Sequence, residues 1–385
     1  MSRAPTASLP CPSSFPSTKQ PPPSAPTSPP PSAAFPTPSL LIYDGFHFWA
    51  PSVADELGIP TLVFYGIGGF SLAVSAVVMR DKPHSGVTSP YESFPVQAFP
   101  NLRLTKADLE PPFDEPDPTG PMWDIVVKCH AAAKSSRGHV VNSFYELEKV
   151  YFDRFGSPNF CVGPLCLARD REHSIRNTKP SDITQWLDSR LALSRPVLYV
   201  AFGSQVALSP VQLHELAVGL DLSGFDYLWV VRVKDGSDSE FLTRVGERGK
   251  VVRDWVDQME VLGHDAIQGF MSHCGWNSVM ESMCMGVPIL AWPMLAEQRL
   301  NAKFVVEELR MGIRVRASDG TKEGLVKGED VEKMVRMLMA GEEGKSAARR
   351  AKELEAAARK AMEVGGSSYV TVERMMDELC GEKKG

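Results

Sequence analysis

From Ser39 onward, short apolar runs of strand length alternate with helix-patterned stretches, and no other feature constrains the fold of this chain as strongly. Such alternation is the signature of parallel strands joined by crossover helices that cover both faces of a sheet. In the first half, SLLIYD (39–44), TLVFYG (61–66), HVVNSF (139–144) and FCVG (160–163) read as strands, with helices expected over 50–58, 121–136 and 145–155. The second half alternates more cleanly. PVLYVAFGS (196–204) has the continuous apolar character of a strand buried on both faces, and YLWVVR (227–232), KVVRDWV (250–256), IQGFMS (267–272), VPILAW (287–292) and IRVRA (313–317) supply further strands. A capping box is written into SPVQLHELAVGL (209–220), with Ser209 at N-cap, Pro210 at N1 and Gln212 at N3, so a helix is predicted to begin there. The Lys/Glu-rich stretch 343–363 is predicted to be a helix that packs through Leu354, Ala358, Ala361 and Met362 and presents its charges to solvent.

A chain of 385 residues, 43% hydrophobic, exceeds what one core usually serves, so two domains are expected. The polar, strand-poor stretch 167–181 reads as a linker between residues 39–166 and 182–365. The first forty residues differ in kind: thirteen prolines, nine serines and no acid before Asp44. A segment of that composition cannot bury a core, so 1–38 is expected to be a disordered extension or a replaced chain start. A chloroplast transit peptide is the other reading, although such peptides carry more arginine on an amphipathic pattern.

Charge and cysteine usage exclude several classes. A net charge of −6 offers no basic stripe to a nucleic acid, and no apolar run reaches the 18 or so residues of a membrane span. Seven cysteines, an odd number without a CxxC pair, suit a reducing compartment, so a cytoplasmic, metal-free monomer is expected.

Ligands of open parallel sheets sit beyond the carboxyl ends of the strands, which directs attention to FMSHCGWNSVMES (270–282), where a strand gives way to a helix. The main-chain N–H groups of Gly275, Trp276, Asn277 and Ser278 would be unpaired donors at the positive end of a helix, a site for phosphate. His273, Asn277 and Ser278 add side-chain donors. Glu281, one turn on, could accept a ribose hydroxyl pair, and Trp255 offers a flat face to a base. Glu297 and Gln298 follow another strand and suit sugar hydroxyls. The bland alternative is a capped helix, a solvated histidine and a core tryptophan.

The 44 residues from Trp255 to Gln298 resemble the donor-binding signature of plant family 1 UDP-glycosyltransferases. The resemblance extends over about 39–380 through VNSFYELE, CVGPL, YVAFGS and GGSS (365–368). It implies an α/β chain of the GT-B fold, two facing Rossmann-like doubly wound domains. The acceptor would lie mainly in 39–166 and the UDP-sugar in 182–365, with a final helix within 366–385 crossing back. It implies uracil on Trp255, the base and ribose region at the Val256 main chain and Gln258, and ribose at Glu281. The diphosphate would sit at Ser204, His273, Asn277 and Ser278 with the adjoining Gly275 backbone, and the sugar would face Trp276, Glu297 and Gln298. Gln298 in place of histidine resembles members that use UDP-glucose. Most members have WAPQ where this chain has WVDQ, with little consequence expected.

The resemblance further implies a single inverting displacement with no cofactor beyond the UDP-sugar. A histidine would deprotonate a hydroxyl of a small acceptor such as a flavonoid, and an aspartate, matched here by Asp44, would orient that histidine. No histidine precedes Asp44 in this chain; the first is His47. The N-terminal domain is therefore expected to be incomplete, with an open sheet edge, and turnover to be weak or absent. A catalytically silent UDP-sugar-binding form is the alternative within the family. An NAD-dependent oxidoreductase is a third reading, drawn from YGIGGF (65–70), whose spacing is not GxGxxG.

Overall fold

The structure, a computed structural model, describes residues 38–154, 158–168, 181–203, 208–231, 246–317 and 324–380. All but the last residue of the expected extension 1–38 and most of the expected linker 167–181 therefore lie outside the described residues, as does Ser204.

Two parallel sheets carry the chain from Ser39. In the first, β1 (Leu41–Asp44), β2 (Thr61–Tyr65), β5 (His139–Val141) and β6 (Asn159–Cys161) lie side by side in chain order. A short antiparallel ribbon, β3 (Phe94–Pro95) with β4 (Arg103–Leu104), stands apart from it. In the second sheet the spatial order is β12 (Gly312–Arg314), β11 (Ile289–Ala291), β10 (Ile267–Ser272), β7 (Val197–Ala201), β8 (Asp226–Val230) and β9 (Gly249–Val252). Winding starts at β7, proceeds outward through β8 and β9, then reverses to β10 on the other side of β7. That reversal is the topological switch of a doubly wound sheet, and it opens a crevice between the carboxyl ends of β7 and β10.

The strands form where the apolar runs are. All five side chains of β7 are buried, which is why its sequence does not alternate. The helix expected after Ser209 spans Pro210–Ser223, and Ser209 Oγ accepts from the Gln212 N–H at 3.2 Å. The reciprocal half of the capping box is not made. Gln212 is buried, and its amide bonds instead to the main chain of Val326 at 2.8 and 3.0 Å, so a tertiary contact outcompetes the local one. Helix Glu342–Met362 buries Leu354, Ala358 and Ala361 as expected, whereas Met362 is only half-buried. Helix Gly69–Asp81, unforeseen because its pattern is nearly apolar all round, buries Phe70, Ala73, Val74, Val77 and Val78.

One core cluster joins the second sheet to helix Gly69–Asp81 and to residues 94–109 and 144–151 of the first half, while the first sheet's own strands pack in smaller clusters. Phe70 of the first half stacks on Phe304 of the second with ring centroids 4.8 Å apart, and Tyr151 meets both rings edge-on. Helix Ser367–Cys380 packs Met375 against Leu62, Val140 and Phe160 of the first sheet. Strand β1 is the outer strand of its sheet among the described residues. Around it Ile42, Phe46, Trp49, Val53 and Leu57 are exposed.

Candidate functional site

Strand β10 ends at Ser272, and three residues turn the chain into helix Trp276–Cys284. Cys274 holds a left-handed φ of 62° in that turn, and Gly275 is the N-cap residue with no side chain over the helix start. The first N–H groups of the helix therefore open into the crevice at the switch point.

His273 stands at the mouth of this opening. A Cβ on Gly203, just beyond β7, would lie 2.9 Å from His273 Nε2, and one on Gly275 would lie 2.6 Å away. Two glycines thus leave the imidazole its space, and Gly203, at φ 75°, is also in a conformation few other residues adopt. Burial lowers the His273 pKa to about 4, so the ring is neutral near pH 7. Its Nδ1 is buried without a hydrogen-bond partner.

A second cluster lies one turn along the helix. Gln258 Nε2 donates to Ser278 Oγ at 3.0 Å and to Glu281 Oε2 at 2.6 Å, which fixes the carboxylate beside the helix start. Gln258 opens helix Gln258–Leu262, whose N-cap Asp257 accepts from the N–H groups of Met259 and Glu260. The aspartate of WVDQ thus does local work as a cap. Val256 packs half-buried against the core, while Trp255 is 71% exposed and keeps its ring face open.

The third cluster follows β11. Gln298 Oε1 accepts from the Met294 and Leu295 N–H groups, both at 3.0 Å, which turns its side-chain NH2 the other way. Glu297 is held by Asn301 Nδ2 at 3.3 Å, and burial raises its pKa. Asn301, 1% exposed, also donates to the Cys274 carbonyl at 2.9 Å and accepts from Ser71 of the first half at 2.7 Å. This asparagine ties the third cluster to the turn of the first.

The structure corrects one expected contact. The Trp276 indole does not face the opening: it is 2% exposed, and its Nε1 donates to the Asn142 carbonyl at 2.8 Å. Only the Trp276 main chain remains at the helix start. Asn142 also reaches Asn277, its Nδ2 donating to Asn277 Oδ1 at 3.2 Å. Sequence reasoning missed Asn142 and Asn301, because an asparagine's letter carries no signal of which distant residue its amide will meet.

Asp44 ends β1 on the first sheet, exposed, and its carboxylate accepts the Phe46 N–H at 2.9 Å. Among the described residues no histidine ring bonds to that carboxylate. His47 is exposed, with its ring edge-on to Trp49. The glycines of YGIGGF serve another purpose than a dinucleotide. The N–H groups of Gly69 and Phe70 donate to the buried Glu148 carboxyl group at 3.0 and 2.6 Å, so the start of that helix is already occupied by a side chain of this protein, whose pKa burial raises.

Comparison with known proteins agrees with this arrangement. The family model described as UDP-glucoronosyl and UDP-glucosyl transferase matches residues 172–346. UDP-glycosyltransferase 90A1 of Arabidopsis thaliana is 41% identical over 355 residues, covering 90% of this chain and 74% of that protein. Anthocyanin 3'-O-beta-glucosyltransferase of Gentiana triflora is 36% identical over 366 residues, covering 89% of this chain and 76% of that protein. Among solved structures, Glycyrrhiza uralensis UGT73P12 complexed with glycyrrhetinic acid 3-O-monoglucuronide superimposes with a TM-score of 0.80 at 30% identity, covering 89% of this chain and 74% of that one. Phytolacca americana UGT2 complexed with UDP-2fluoro-glucose and pterostilbene gives 0.71 at 29% identity, covering 89% and 76%.

Proposed function

Because this chain belongs to the plant UDP-glycosyltransferases, α/β proteins of the GT-B fold, we propose that it transfers glucose from UDP-glucose to a hydroxyl of a small acceptor such as a flavonoid, inverting the anomeric carbon. The observation that carries this reading is the convergence at one switch-point crevice of an open helix start, the Gln258–Ser278–Glu281 cluster and the exposed Trp255 face.

Uracil stacks on Trp255, which is free to receive it. The Glu281 carboxylate, oriented by Gln258, accepts the ribose hydroxyls. The diphosphate lies against the N–H groups from Gly275 to Ser278, with His273 donating through one ring nitrogen. These dipoles are in place before charge develops on the departing UDP, so they stabilise the transition state without reorganising. Glu297 and the side-chain NH2 of Gln298 hold the sugar, and Ser204 joins the diphosphate site. The acceptor occupies 39–166 and the UDP-sugar 182–365. The helix within 366–385 returns to the first sheet, in keeping with the packing of Met375 there. The protein works as a cytoplasmic monomer that needs no cofactor. Among the described residues no helix is long and apolar enough to cross a membrane.

A second reading, a form that binds UDP-sugar without turning it over, is favoured by Asp44, whose carboxylate caps its own turn and touches no histidine ring among the described residues. Calorimetric titration with UDP-glucose, run beside an assay for glucosylated flavonoid, separates the two. Binding with product supports transfer, binding without product selects the silent form, and absence of binding rejects both.

A further inference from the structure

We propose that Asn142, in the bend just after β5 of the first sheet, is a positioning residue that sets the polarity of the Asn277 side chain and so aims a hydrogen-bond donor at the anion site of the second sheet. The inference rests on reading the start of helix Trp276–Cys284 as the diphosphate site.

The Leu165 N–H donates to Asn142 Oδ1 at 2.8 Å. A main-chain N–H can only donate, so this bond decides which end of the Asn142 amide is oxygen. The Asn142 NH2 end must then face Asn277, where it donates to Oδ1 at 3.2 Å. With its oxygen engaged, Asn277 turns its own NH2 in the opposite direction, as the donor an anion at the helix start requires. Asn142 itself is held from two sides, being 6% exposed with its carbonyl accepting from Trp276 Nε1 at 2.8 Å. Asn277 is exposed and would otherwise turn freely. The segment after the first sheet thus dictates, through one buried amide, the chemistry presented by the second.

Replacing Asn142 by aspartate inverts the relay. The oxygen facing Asn277 can only accept, so Asn277 must donate backwards and present its oxygen to the diphosphate. The new charge also repels UDP at longer range, and a double-mutant cycle with Asn277→Ala separates the two effects. The measurement is calorimetric affinity for UDP and for uridine, which lacks the phosphates, with the full chain. Asn142→Asp is expected to weaken UDP on the order of tenfold more in the presence of Asn277 than in the Asn277→Ala background, with uridine affinity unchanged. Equal losses in both backgrounds would mean charge repulsion alone and would overturn the inference. Asn142→Ala, which lets Asn277 turn either way, is expected to lower the UDP-to-uridine affinity ratio about threefold. An unchanged ratio in that variant overturns the inference even if the aspartate variant does not fold. An unsubstituted chain that fails to bind UDP removes the diphosphate reading and the relay with it, whereas UDP binding without the coupling removes the relay alone.

Discussion

The indole of Trp276 spans from the helix that opens the anion site to the carbonyl of Asn142, just beyond β5 of the opposite sheet, a buried 2.8 Å hydrogen bond between the two halves of the protein. A Cβ on Gly68 would lie 2.8 Å from this ring, so the first half approaches it at main-chain distance. The most bulky side chain of the helix start is therefore a strut rather than a sugar contact.

Shortening the strut in two steps tests the hydrogen bond and the packing around it. Trp276→Phe leaves the buried carbonyl without its donor and is expected to cost about 1–3 kcal/mol, against about 3–5 kcal/mol for Trp276→Ala. Urea unfolding midpoints measure both. A phenylalanine variant as stable as the parent would show that the bond contributes nothing.

Trp255 should behave in the opposite way. Its side chain is 71% exposed, so Trp255→Ala is expected to change stability by no more than about 0.5 kcal/mol. Loss of a stacking face should nevertheless weaken uridine and UDP alike, by about tenfold, in calorimetric titrations. Unchanged uridine affinity would take the base away from this residue.

Gly275 is replaceable in backbone terms, since its φ of −57° suits any residue, yet a Cβ there would lie 2.6 Å from His273 Nε2. Gly275→Ala should displace the imidazole and lower UDP affinity by about tenfold while leaving uridine affinity intact. A crystal structure of the variant with His273 unmoved would refute the packing argument.

His273 also predicts a pH dependence. Burial holds its pKa near 4, below the ordinary 6.5, so the unfolded chain takes up a proton before the folded one as pH falls. Stability is therefore complete above about pH 6.5 and declines towards pH 4, by on the order of 1–2 kcal/mol at pH 5 from this group. His139, likewise lowered to about 4 by burial, acts in the same direction over the same window. A diphosphate beside the ring favours the protonated form, so UDP binding should take up protons at pH 5.5 and essentially none at pH 8. Binding enthalpies in buffers of different ionisation heat measure this, and equal proton uptake at both pH values would dissociate His273 from the phosphates.

Much of this was legible in the letters. Strand β10 begins and ends where the apolar run IQGFMS does, because a strand buried between neighbours needs an unbroken apolar stretch. Ser209 announced its helix, because N-capping is decided within four residues. The strands over 250–256 and 287–292 came out shorter than their apolar runs, at Gly249–Val252 and Ile289–Ala291, because ladder length depends on the neighbour and not on the run. Gln212 shows the limit clearly: its letter fits a capping box, and its amide went to Val326, more than a hundred residues away.

Periodicity, capping letters and residue chemistry are local quantities, so the sequence by itself determined the alternating architecture, the strand-to-helix junction at 270–282 and the kinds of group gathered there. Direction and partnership are not local. Only the tertiary structure decided that Trp276 turns inward, that Gly203 and Gly275 make room for one imidazole, and that Asn142 faces Asn277. Trp276 and Asn277 meet Asn142 from the other half of the chain, and Gly203 comes to His273 from the end of a neighbouring strand, so these relationships are set by the packing of whole sheets.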